Sequence, residues 1–467
     1  MSAPDGYSIT TIEPPNAPLE VGGLAIREDG TVVSSTRAGQ VWEYDRTARE
    51  WSLLTDGVHQ AIGVVIDDDS GDPVVAQKPG LTRLVDEDGD GMAEEFEFLT
   101  TEWGYQGNYH EWAFGPVQDS DGNFYVTLAL AHDGPGPTVG DSIMNYSAPY
   151  RGWCIKTTPD GEFLPFANGM RSPAGIGITP DDEVFYMDQQ GGFVPTSFIA
   201  HVQEGNFHGH AVSLYGDSEF DRDPDSVSMA ELKGMRTPPA AYVPYNMSLS
   251  PIGLTYNDTD GAFGPFDDQL FFGGQSLSKM MRADLEMVNG QYQGAVFDFA
   301  DGLQCGVVRE TFSPSGRSLW MGQTDRGFGA EGSAPYGLQR IDYDGDTIPF
   351  EMQSIGILPD GFEITFTKPA DAGDAGDPTN YDVGHWTYNY WSTYGSPRVN
   401  ETDVDVSGAE VSGGGETVAI ELPSVEPAPS EGDLVGRIYR ISLDVDSADG
   451  ESMMNDTGYY TVNEVPE

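Results

Sequence analysis

Positive charge is what this sequence most lacks. Twenty-two lysines and arginines, only five of them lysine, face 76 aspartates and glutamates, a formal net charge of −54. A surface of one sign repels itself in dilute buffer. Molar salt relieves the repulsion, because the screening length falls to about 3 Å at 1 M. The acids are dispersed along the chain rather than gathered in a tail, so the composition points to a protein of a salt-loving organism. The same field excludes duplex nucleic acid and anionic membrane surfaces as partners.

Cysteine is almost missing too. Cys154 and Cys305 stand far apart, and the absence of any CxxC pair excludes a cysteine-held zinc site and a covalently attached c-type haem. No run of about 18 apolar residues occurs, so no membrane-crossing helix is expected. Residues 1–15 carry neither the basic nor the apolar region of a secretory leader. GxSxG, HExxH, a Walker loop and a GxGxxG opening a helix are all missing, which leaves serine hydrolase, zincin and nucleotide-binding functions without support.

What is present is turn chemistry and a repeat. The 59 glycines and 32 prolines are spread evenly, as short strands with many turns require. Six times the chain writes an apolar strand, a turn rich in Asp and Gly, and a second apolar strand. The copies begin at Gly23, Gly63, Glu111, Gly175, Gly253 and Arg309, and their second strands begin near Thr31, Pro73, Asn123, Val184, Leu270 and Leu319. A third strand follows several of them, as at Val41–Asp45, Leu81–Asp86, Lys279–Asp284 and Leu338–Asp342. Three or four strands per unit, six times over, predicts a six-bladed β-propeller over residues 1–348. Loops inserted between the third and fifth copies are expected on a propeller face, where ligands bind. Residues 349–467 read instead as six or seven alternating strands, including Tyr381–Tyr390, Val404–Val411 and Arg437–Val445, the size of an immunoglobulin-like sandwich. The expected fold class is all-β.

One stretch has metal-ligand spacing. Asp86, Asp88, Asp90, Glu94 and Glu97 occupy positions 1, 3, 5, 9 and 12 of a loop with Gly91 at 6 and Met92 at 7, where a backbone carbonyl serves. That is the EF-hand calcium pattern, here between strands rather than helices; in so acidic a chain such runs also arise as plain turns. His110 could be a base, a metal ligand or a buried, satisfied side chain. His59, His208 and His210 could join it and Asp188 around a channel mouth, or remain loop histidines bonded to backbone. Aromatics cluster around His110 at Trp103, Tyr105, Tyr109 and Trp112, fit for stacking on sugars or for holding neighbouring blades together.

The phrases Pro18–Ala25, Gly107–Pro116, Gly169–Gly177 and Gly205–His210 give the chain a familiar look. It resembles the glucose/sorbosone dehydrogenase-type propellers, whose best-known members use pyrroloquinoline quinone (PQQ). It is similar in particular to a branch of exported proteins in planctomycete-like bacteria, often fused to cytochrome c, and Trp386–Pro397 is similar to the sandwich that follows the propeller there. The resemblance implies an extracytoplasmic sugar or aldehyde dehydrogenase that passes hydride from a hydroxyl to the quinone. It implies His110 as the base, before Phe114-Gly-Pro, and Arg171 of Arg171-Ser-Pro as a carboxylate clamp, with Asp188, Gln189 and Arg309 beside the cofactor. Lys279, Arg282 and Arg326 are the further cations able to hold a tricarboxylate. Ser172 stands where the family has asparagine. Asp188-Gln-Gln-Gly-Gly replaces the acidic phrase that supports calcium in the quinone enzymes. The alternative is a non-catalytic, calcium-stabilised propeller that binds a carbohydrate or protein partner; an electron-transfer partner belongs to the first reading.

Overall fold

The computed structural model describes residues 1–327 and 329–466, and nearly all its regular structure is strand. Each predicted strand pair forms and grows into four antiparallel strands. The first sheet runs Val21–Ile26, Val32–Thr36, Val41–Asp45 and Glu50–Thr55; the second runs Val64–Ile66, Pro73–Gln77, Gly80–Val85 and Glu95–Thr100. The third holds Ala113–Gln118, Phe124–Leu128, Trp153–Thr157 and Phe163–Asn168, and the fourth Pro173–Ile178, Val184–Asp188, Ser197–Val202 and Ala241–Val243. Pro251–Tyr256, Leu270–Gly274, Lys279–Val288 and Gln291–Ala300 follow as the fifth group. In the last, Val307–Phe312, Ser318–Thr324 and Tyr336–Tyr343 take their fourth strand from the other end of the chain: Tyr7–Ile12 pairs with Tyr336–Tyr343, Ile9 opposite Ile341.

The first strands of these sheets touch one another in chain order, and the last touches the first, so the sheets stand propeller-like about one axis. This placement explains the sequence pattern. The second strand of every sheet is buried at each position, because neighbouring sheets cover both its faces. Continuous runs such as Pro73-Val-Val-Ala-Gln follow from that, where a one-faced strand would alternate.

Where the first strands converge there is no room for side chains. A Cβ on Gly63 would lie 1.5 Å from the Gly115 carbonyl oxygen, and one on Gly175 would lie 2.2 Å from that of Gly253. The sixth strand carries Arg309 where the others carry glycine. Its guanidinium fills the axis, donating to the carbonyls of Ile62, Ala174 and Val308. Above it Ile62, Phe114, Ala174, Ile252 and Val308 close into a buried apolar cluster. Together they plug the axis. A cavity of about 60 Å³ opens on one side and one of about 440 Å³ on the other, and they share no lining residue.

Beyond residue 350 two sheets pack face to face. Met352–Leu358, Gly361–Phe366, Thr417–Glu421 and Gly408–Ser412 make one. Arg398–Val404, Tyr381–Asn389, Leu434–Leu443 and Thr457–Thr461 make the other, which continues unbroken into the fifth sheet through Gly294–Phe297 paired with Gly458–Thr461. Phe362, Ile364, Tyr439, Ile441 and Tyr460 form the shared core with Phe297. The strand expected at Val404–Val411 is split by a turn into Arg398–Val404 and Gly408–Ser412. Met229–Met235 is a helix of about two turns in an inserted segment, capped by Ser228 and anchored by buried Leu232; seven residues are too few to show a periodicity. Cys154 and Cys305 are both buried and unpaired. No helix among the described residues is long and apolar enough to cross a membrane.

Candidate functional site

His110 sits in the turn that leads into the first strand of the third sheet, 4% exposed. The turn is held by Glu111, whose fully buried carboxylate accepts the backbone N–H groups of Gln106 and Asn108 and the Ser147 hydroxyl. Asn108 fixes the His110 backbone through its side-chain oxygen at 3.0 Å. The ring is oriented from both sides. With Nδ1 protonated it donates to the Leu130 carbonyl at 2.6 Å, which leaves Nε2 as an acceptor 3.3 Å from Ser172 Oγ. Burial, reinforced by the positive charge of Arg171, pushes the imidazole down to about 3, so it stays neutral.

Ser172 Oγ also lies 3.5 Å from Gln189 Oε1, and Gln189 lines the smaller axial cavity. The cavity therefore reaches His110 through one amide and one hydroxyl. Trp112 lines it too, its ring 5.1 Å from that of His110. Behind this wall the Asp188 carboxylate accepts the backbone N–H groups of Arg171 and Ser172 at 2.8 and 2.7 Å, and burial raises its pKa to about 6. Arg171 is 5% exposed; Nη1 donates to the Gln189 carbonyl at 3.3 Å, while Nε and Nη2 donate to nothing among the described residues. His110, Arg171, Asp188 and Gln189 thus come together, with Ser172 as the link that the sequence marked only as a departure.

Beside the cavity stand Arg326, one of the cations the sequence offered, and two it did not single out, Arg37 and Lys78. Arg37 lies over the Trp112 ring at 5.3 Å beside Arg326, both lining the cavity, and Arg326 pairs with Glu20. Burial, with Arg326 second, lowers the pKa of Arg37. Lys78 donates to the Asn108 carbonyl at 2.7 Å, and burial takes its ammonium down to about 8. The signal available was scarcity: in a chain with five lysines, one beside the His110 turn is conspicuous.

Other expected residues lie elsewhere. Arg309 is spent on backbone carbonyls inside the plug. Arg282 is buried against Phe266 and Phe297 and donates to the Met352 and Gln353 carbonyls, and Lys279 pairs with Asp298 at 2.6 Å. His59 is exposed beside Tyr105. His208 and His210 are buried against Tyr186 and Phe193, and no nitrogen of either ring has a partner. Neither lines the cavity, and no histidine cluster able to hold a metal forms among the described residues.

The acidic loop joins the third and fourth strands of the second sheet. Ligand oxygens of Asp86, Asp88, Asp90 and Glu94 lie within 4.8 Å of one another. The loop is folded by its own acids: Asp86 accepts from the backbone N–H groups of Gly89, Asp90 and Gly91, and Asp90 from that of Met92. Glu97 is not in the group. It lies on the following strand and pairs with Arg83 at 2.6 Å. The Met92 side chain is exposed.

No protein-family model matches the sequence, and neither does any curated protein. Solved structures do match in fold. The PQQ-bound aldose sugar dehydrogenase of Streptomyces coelicolor is 15% identical, with a TM-score of 0.52 over 73% of this chain and 99% of that one. The holo PQQ domain of pyranose dehydrogenase from Coprinopsis cinerea gives 0.54 at 10% identity over 73% and 96%. The soluble aldose sugar dehydrogenase of Escherichia coli, in its apo form, gives 0.51 at 16% over 72% and 99%. At such identities the likeness concerns the fold, an all-β propeller.

Proposed function

We propose that residues 1–348 form a six-bladed β-propeller, that 349–467 form an immunoglobulin-like sandwich fused to its fifth blade, and that the protein oxidises a hydroxyl of a small sugar or aldehyde substrate with PQQ as acceptor. The observation that carries this reading is the His110 relay: a histidine held as a neutral acceptor, with the Ser172 hydroxyl and the Gln189 amide between it and a cavity rimmed by cations. A substrate hydroxyl admitted past Gln189 would give its proton to Ser172 Oγ as Ser172 passes its own to His110 Nε2, while hydride leaves the same carbon. PQQ, when bound, supplies the acceptor for that hydride. The residues fit a tricarboxylate: the Nε and Nη2 nitrogens of Arg171 are unspent among the described residues, and Arg37, Arg326 and Lys78 lie on the same side of the plug. The site would be served by a protein or small-molecule electron carrier, in the extracytoplasmic, salt-rich setting that the −54 charge suits.

The test is titration of purified protein in molar KCl with PQQ, followed by absorbance and by aldose-driven dye reduction. Saturable binding with sugar-dependent turnover is expected; no binding at micromolar PQQ would sink the reading. A second reading is favoured by the small axial cavity of about 60 Å³. In it the propeller binds a carbohydrate or protein partner without turnover, and sugar binding without dye reduction would select it.

The reading includes a structural calcium at Asp86, Asp88, Asp90 and Glu94, supported by four convergent carboxylates. Millimolar Ca²⁺ should raise the melting temperature, since saturation at about a hundred times Kd stabilises by about 2.7 kcal/mol. Asp88→Asn should abolish the rise. An unchanged melting curve in Ca²⁺ at constant ionic strength would remove the ion.

A further inference from the structure

The C-terminal unit reaches the site. Residues 390–397, between the strands Tyr381–Asn389 and Arg398–Val404, lie against the inserted loops of the third and fourth sheets. The Trp391 carbonyl accepts from Phe193 N at 2.8 Å, Gly395 N donates to Gly191 O at 3.0 Å, and Ser396 N donates to Pro195 O at 2.8 Å. Ser392 Oγ accepts from Asp141 N at 3.0 Å, and Trp391 Nε1 closes the loop on the Gly395 carbonyl at 2.6 Å. This much backbone bonding fixes the loop while leaving one ring unspent: Tyr394 is 57% exposed, and the Arg171 guanidinium lies 5.4 Å from its centroid.

Tyr109, 50% exposed and 5.9 Å ring to ring from His110, stands within reach of the same guanidinium's charge. Two half-exposed rings thus stand close to an arginine that is itself buried and whose Nε and Nη2 have no partner among the described residues. A buried donor without a partner, as Arg171 Nε is among the described residues, is costly unless something accepts from it. Rings with apolar faces around a few polar donors are the chemistry that recognises a pyranose, which offers C–H faces and hydroxyl oxygens together. More than a quarter of this chain has no counterpart in the dehydrogenase structures above, which it covers almost end to end.

We propose that Tyr394, supplied by the C-terminal unit, and Tyr109 form an aromatic clamp that seats the sugar ring of a neutral aldose over Arg171. The choice of an aldose rests on the sugar-oxidising reading above, in which Arg171 has one unspent nitrogen for the quinone carboxylate and one for a sugar hydroxyl, but the clamp is tested by binding alone. D-glucose and D-gluconate are titrated into the protein in molar KCl without quinone, with calorimetric detection. Tyr394→Ala and Tyr109→Ala should each weaken D-glucose binding by about tenfold, the loss of roughly 1.4 kcal/mol of contact. Tyr394→Phe should retain it, and Tyr245→Ala, an equally exposed tyrosine elsewhere, should leave it unchanged. Both rings are at the surface, so the variants should melt as the parent does. Unchanged D-glucose affinity in Tyr394→Ala overturns the clamp, as does a parent chain that binds only D-gluconate or neither sugar. Tyr394-dependent D-glucose binding in a protein that shows no PQQ-dependent turnover keeps the clamp and removes the dehydrogenase reading.

Discussion

His110→Ala should lower aldose-dependent dye reduction at saturating PQQ by about 10²- to 10⁴-fold, the range that one positioned base contributes. The argument rests on the ring's two bonds. The Leu130 carbonyl holds the proton on Nδ1, so Nε2 has no role except to accept, and Ser172 is the group that can give to it. Alanine also leaves the Leu130 carbonyl without its donor, at a cost of about 1–3 kcal/mol in stability. His110→Gln is therefore the companion variant: it offers a donor to Leu130 but no base, and the same loss of rate is expected.

The pH profile separates this base from an ordinary histidine. A group held down to about 3 by burial is unprotonated throughout the working range, so it sets no acid limb. Asp188 does: held up to about 6, it protonates as the pH falls through that value and loses the charge that gathers the Arg171 and Ser172 N–H groups. The rate should fall below about pH 6, and Asp188→Asn should flatten that limb. A limb that persists in Asp188→Asn would assign it to His110 and overturn the neutral-base assignment.

Gly63→Ala should be the most destabilising single methyl in the molecule. Its Cβ would lie 1.5 Å from the Gly115 carbonyl oxygen and 2.5 Å from the carbonyl carbon, distances at which backbone rather than a side chain must move. Moving it would displace two adjacent first strands and the plug they hold. The expected loss is about 3–5 kcal/mol, beyond ordinary overpacking, read as a lower melting temperature in molar KCl. Gly71→Ala is the control: its added carbon would meet nothing within 4 Å, and its positive φ of 77° alone costs about 1 kcal/mol. Equal melting of the two variants would mean that the axis is not close-packed.

These features were unequally legible in the chain. The strand pairs could be read because each second strand is buried on both faces and so written without the polar alternation of a one-faced strand. The turns could be read as well: Asp121-Gly122 adopts the positive φ that such a pair announces. The closing strand Tyr7–Ile12 could not, since nothing local ties Ile9 to a partner more than 300 residues away. In the site, His110 and Arg171 stood out through resemblance, whereas Ser172 and Arg37 are ordinary residues until the fold sets them beside His110 and Trp112. Arg309 misled for a physical reason. An arginine in an acidic chain suggests an anion to bind, but here its donors are consumed by three backbone carbonyls where five neighbouring strands have only glycine to offer. Glu97 completed a spacing in one dimension that Arg83 breaks in three.

The plug has a consequence for traffic. With the axis shut by Arg309 and the apolar ring above it, the propeller is a cup and not a tube. Whatever enters on the His110 side must leave by the same rim. Reactant and product therefore queue at one doorway, and each occupies the space the other needs. If the proposed dehydrogenase reading holds, accumulated product competes directly with incoming substrate, and turnover at high conversion is paced by emptying the cup.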